Sequence, residues 1–149
     1  MAIDRYDLKS DGDHVTFVFT SVGPKGEIIK VVQYSEMLLE NMYNLGFGDW
    51  DPWEGSVDDK VVSNNGDTEK LLNTVAYTVL EFTKAHPNAM IYVTGSTKVR
   101  TRVYRIGISR NLALIGKDFD VEGLVDEDNW VPFKEGVNYD AFLIKRKKA

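Results

Sequence analysis

Apolar and polar residues alternate along HVTFVFTS (14–21), with Val15, Phe17 and Phe19 on one side and His14, Thr16, Val18 and Thr20 on the other. A period of two predicts a half-buried strand. GPKG (23–26) supplies turn chemistry, because Pro24 presets one dihedral and the glycines admit positive φ. EIIKVVQYS (27–35) then reads as the returning strand of a hairpin. SEMLLENM (35–42) predicts an irregular or single-turn piece. MYNLGFGD (42–49) and VDDKVVS (57–63) predict a third and a fourth strand, joined by the loop GDWDPWEGS (48–56).

After NNGD (64–67) the period lengthens. Asp67 is suited to cap a helix from Thr68, and Leu71, Leu72, Val75, Ala76, Val79, Leu80 and Phe82 follow at helical spacing. Pro87 ends that helix. NAMIYVT (88–94) reads as a short buried strand. A turn at Gly95, Ser96 and Thr97 then opens a second helix, expected to run to about Ile106 and to break at Gly107. RNLALI (110–115) predicts a further helical piece. DFDVEGLV (118–125) and VNYDAFLIKR (137–146) predict strands on either side of a DEDN loop (126–129). The order, roughly ββββ-α-β-α-ββ, predicts an α+β fold with a mostly antiparallel or mixed sheet and helices packed on it.

Composition narrows the class. A chain of 149 residues, 43% hydrophobic and 28% charged, suits one globular domain over 1–149, ending in a basic tail at 145–149. No cysteine is present, which excludes disulfides, thiolate nucleophiles and Cys-ligated zinc. The polar, acidic start MAIDRYDLKSDGDH lacks the pattern of a secretory signal, and no apolar run approaches a membrane span. These features predict a soluble, cytoplasmic protein with no membrane association.

Charge changes the picture most. In a chain of net charge −5, residues 94–117 carry six basic side chains and no acidic one. On a helical wheel Lys98, Arg102 and Arg105 share one stripe, and Val99, Val103 and Ile106 lie about a quarter-turn away. A helix N-terminus favours acids by about 0.3–1 kcal/mol each, so Lys98, Arg100 and Arg102 oppose the local field. Two explanations compete. Carboxylates of neighbouring strands can neutralise these cations, as charged helix faces usually do. Alternatively, an external anion can take free backbone N–H groups and the planar Arg forks together, which suits phosphate.

Other candidates are weaker. Asp49, Asp51, Glu54, Asp58 and Asp59 gather near Trp50 and Trp53, but their spacing is not that of a calcium loop, and an acidic hairpin accounts for them. Trp50 and Trp53 on a loop suggest a packed lid or a contact surface. NNGDTEK (64–70) joins a glycine turn to a helix start, which Asp67 as a cap explains. His14 and His86 have no metal-like spacing, and His86 suits a helix C-terminus. KRKK (145–148) reads as a solvated tail that adds nonspecific attraction to nucleic acid.

Through GPKG, Phe47–Asp49, SNNGDTEK and GSTKVRTRVYRIGI, the chain resembles an uncharacterised family of small bacterial proteins, a domain of unknown function. That resemblance implies a single domain and carries no activity. A partial likeness to acyl-CoA N-acetyltransferases rests on VVSNNGDTEKLL, AMIYVT and RVYRIGI and would imply CoA binding. It departs from that family's Arg/Gln-x-x-Gly-x-Gly/Ala loop at residues 63–69 and lacks the usual helical N-terminal region. The expectation is a binder of a phosphate-bearing partner, RNA or a nucleotide. Ser96, Thr97, Lys98, Arg100, Arg102, Tyr104 and Arg105 would hold it, with aromatic contacts from Trp50 and Trp53, and no cofactor or metal. The alternatives are an enzyme, either acyl-CoA transferase-like or a metal-independent nuclease, and an interaction module of a two-gene pair with an acidic protein partner.

Overall fold

A computed structural model describes residues 4–10, 12, 15–58 and 65–147. Among them the chain forms β1 (Lys9–Ser10), β2 (Thr16–Gly23), β3 (Gly26–Glu36), β4 (Met42–Asp51), β5 (Ser56–Asp58), α1 (Thr68–Ala85), β6 (Met90–Val93), α2 (Lys98–Arg110), α3 (Leu112–Asp118), β7 (Phe119–Asp126), β8 (Asn129–Pro132) and β9 (Ala141–Arg146). This is the α+β fold that the order of elements predicted. The strands make one sheet in the order β1-β2-β3-β4-β6-β9-β7-β8, with β5 paired to β4. Only the β4–β6 pairing is parallel among them.

Period-two patterning selects the buried face. Phe17, Val32 and Phe47 are register partners across β2, β3 and β4, and Tyr34 faces Leu45. A second row crosses the other half of the sheet through Tyr43, Ile91, Ile144 and Val121 on β4, β6, β9 and β7. Val75, Val79 and Phe82 of α1, Ile108 of α2 and Ile115 of α3 close the same core cluster. Tyr34 stacks on Phe82 with centroids 4.0 Å apart and shares a 2.8 Å hydrogen bond with Thr78. Burial pushes the Tyr34 phenol well above its ordinary value, a shift that the Thr78 bond opposes.

Several expectations are corrected. Gly107 does not break α2, which runs on to Arg110. A Cβ at Gly107 would stand 3.1 Å from Leu72 Cδ2, so the bare position serves helix packing. Asp67 holds the N-cap position of α1, yet its carboxylate makes no bond to the helix backbone. It accepts from Tyr6 Oη at 2.6 Å and from Ser21 Oγ instead. The basic end is not all tail, because Lys145 and Arg146 finish β9 and Lys147 Nζ donates to Gly116 O at 2.8 Å. The strand 137–146 begins only at Ala141, and part of the loop 126–129 opens β8. The fourth strand is seen at Ser56–Asp58; the rest of residues 57–63, and His14, lie outside the described residues.

Candidate functional site

The turn between β6 and α2 sets the site. Gly95 N donates to Thr101 Oγ1 at 3.0 Å, and Thr101 Oγ1 donates to Thr97 O at 3.1 Å. Thr97 caps α2 by accepting from Arg100 N at 3.2 Å. Gly95 is required there, since an added Cβ would lie 2.4 Å from Thr101 N. Thr101 and Ile108 bury the core side of α2, and that rotation distributes the basic residues.

The helix parts two cavities. On one side Lys98, Arg102 and Arg105 line a polar cleft of about 820 Å³, with Ser96 and Thr97 at its helix end and Asn138 and Asp140 on the facing loop. The volume falls within the range of small-molecule sites. Lys98, Arg102 and Arg105 make no ion pair within 4 Å among the described residues. Arg105 Nε is shielded from solvent and has no hydrogen-bond partner among them. Arg110, by contrast, pairs with Glu69 at 3.3 Å in an exposed contact of little energetic value.

On the opposite side Arg100 and Tyr104 line a smaller pocket of about 280 Å³ beside Phe47, Leu71 and Val103. Lys30 and Asp49 lie in it as an ion pair, their side chains 4% and 14% exposed. Arg100 and Tyr104 were expected to hold the anion together with Lys98, Arg102 and Arg105, but the fold turns them into a separate chamber on the other side of α2. Asp49 and Asp67 are here too, and residue typing alone had assigned them to an acidic loop and a helix cap. One signal was present: Lys30 shares the face of Val32 and Tyr34 in EIIKVVQYS, so a charge stands where the alternation is apolar.

Trp50 and Trp53 join neither cavity. Trp50 stands in β4 opposite Val57 of β5, and Trp53 lies in the turn between them, where it is 95% exposed and its backbone N–H donates to Asp51 Oδ1 at 2.9 Å. That turn, with Glu54 N also donating to Asp51, explains the acidic loop by backbone chemistry. His86 Nδ1 lies 3.2 Å from Phe82 O at the end of α1, a structural placement. No described helix is long and apolar enough to cross a membrane.

The sequence model of a family of unknown function, DUF6934, matches residues 2–147. No curated protein and no solved structure matches the chain. The partial likeness to acyl-CoA N-acetyltransferases gains no support. At the start of α1, where that family binds pyrophosphate, this chain holds an Asp67 carboxylate tethered by Tyr6 and Ser21.

Proposed function

The chain belongs to the family of unknown function DUF6934, and we propose that it binds a phosphate-bearing ligand, a nucleotide either free or as the end of an RNA strand, in the cleft beside α2. One observation carries the reading. Lys98, Arg102 and Arg105 converge on one polar cleft and are not paired with a carboxylate among the described residues. Cations held together without a counter-charge repel one another, and an entering anion relieves that cost. The guanidinium forks of Arg102 and Arg105 suit phosphate oxygens. Asp140 on the facing wall repels a bare polyanion but accepts from hydroxyls. A ligand with phosphate at one end and a ribose at the other satisfies both walls.

The test is fluorescence anisotropy with a labelled short single-stranded RNA and, by competition, mononucleotides, at rising salt. Binding should weaken steeply with salt, as phosphate contacts release counterions. Arg102→Gln/Arg105→Gln should abolish it. Equal binding by that variant, or no binding by wild type at low salt, rejects the reading.

A further inference from the structure

Three apolar side chains in a row stand in solvent at the turn between β3 and β4. Leu38 is fully exposed, Leu39 is 64% exposed and Met37 is 37% exposed. The turn does not need them. Met37 N donates to Met42 O at 2.8 Å, Met42 N donates to Leu39 O at 3.2 Å, and Asn41 supplies the positive φ of 62°. Polar side chains at 37–39 would build the same backbone. Glu36 and Glu40 flank the run, both exposed and neither in an ion pair among the described residues. An exposed apolar run that the fold does not use marks a contact surface.

The outer face of α2 carries the complement. Val99, Val103 and Ile106 recur at i, i+4 and i+7 and form one stripe, 66%, 37% and 37% exposed. Thr101 and Ile108 bury the other side of the helix. The exposed charges that α2 sets around the stripe are all basic: Lys98, Arg102 and Arg110. Of these, Arg110 alone meets an acid among the described residues, in an exposed contact with Glu69 that is easily exchanged. An apolar tip between two acids and an apolar stripe among bases match in shape of chemistry and in sign of charge.

We infer that the Met37–Leu39 tip of one copy docks on the Val99–Ile106 stripe of a second copy. Within one chain the two patches do not cover each other, since both are exposed. Two copies can make the contact twice about a two-fold axis, or a series of copies can repeat it head to tail. Six apolar side chains make a small interface, so the association is weak and reversible. Val99, Val103 and Ile106 do not line the basic cleft, and this contact is independent of nucleotide binding there.

Sedimentation velocity of the full chain, from about 10 µM to about 1 mM, should show association that rises with concentration. Leu38→Glu, at a fully exposed position, should fold like wild type and abolish it. Val99→Glu should do the same, because an acid in the first turn of a helix is favoured. Each of these variants keeps the half that the other has lost. An equimolar mixture should therefore regain a heterodimer, and nothing larger, at the top of the concentration range. Glu36→Lys/Glu40→Lys should weaken wild-type association about tenfold or more, because like charges then face one another. A wild-type chain still monomeric at about 1 mM would assign the tip to a different protein and overturn the inference. Association that survives either Glu variant, a mixture that stays monomeric, or undiminished association of the Lys variant would overturn it as well.

Discussion

Lys30 and Asp49 stand directly opposite one another on β3 and β4 and form an ion pair on the core face of the sheet, next to the Phe17–Val32–Phe47 row. Removing one partner leaves the other charge stranded out of water. Lys30→Met alone is therefore expected to cost about 3–5 kcal/mol, whereas Lys30→Met/Asp49→Leu should match or exceed wild-type stability. Urea denaturation of the three proteins decides it. A single variant no less stable than the double would mean that the pair is solvated.

Tyr34 gives the fold an alkaline limit. Its pKa is raised from 10.0 in the native state, burial being the main cause, so the folded chain holds that proton more tightly than the unfolded chain. The stabilisation is complete below the unfolded phenol value and is lost as pH rises past it, by about 1.4 kcal/mol per pH unit. Tyr6 titrates in the same direction, raised by desolvation and by its bond to Asp67. The urea midpoint should fall above about pH 10, and Tyr34→Phe should make the fall shallower. Identical alkaline profiles for the two proteins would refute this account.

Gly95→Ala tests the turn that aims α2. Its Cβ would meet Thr101 N at 2.4 Å and Arg100 Cβ at 2.6 Å, so the helix start must shift. A loss of roughly 1–3 kcal/mol is expected, accompanied by weaker RNA or nucleotide binding in the cleft. Thermal denaturation and anisotropy measured on the same preparation would show whether both change together.

Arg146 ties the last strand to the end of α1. Its Nε donates to Thr83 Oγ1 at 3.1 Å and one Nη to Leu80 O at 3.2 Å, and the guanidinium lies 5.0 Å from the Phe119 ring centroid. Arg146→Met should destabilise the protein by about 1.5–3 kcal/mol, with faster amide exchange in the final turns of α1. Arg146→Lys should recover little, because an ammonium cannot reproduce the fork. Unchanged exchange in Arg146→Met would show that the tie contributes nothing.

Much of the fold was legible because its signals are local. Val15, Phe17 and Phe19 recur at every second position whatever the rest of the chain does, and the spacing from Leu71 to Phe82 specifies a helix stripe in the same way. The errors came where a partner distant in sequence decides. Gly107 looks like a helix breaker until Leu72 is seen packed on it. Asp67 looks like a cap until Tyr6 and Ser21 claim its carboxylate. Asn129–Pro132 is too short and too mixed to announce a strand, and pairing with β7 makes it one.

The candidate site divides along the same line. The sequence by itself determined that α2 is basic at the wrong end of its dipole and that Lys98, Arg102 and Arg105 share a stripe, since both follow from spacing along one helix. Only the tertiary structure decided what each side of that helix faces. A wheel fixes relative angles, but burial of Thr101 and Ile108 fixes the absolute rotation, turning one stripe toward the Asp140 loop and Arg100 toward Lys30 and Asp49. Those groups come from strands and loops far apart in the chain, and pairing in three dimensions, which no local period encodes, brings them together.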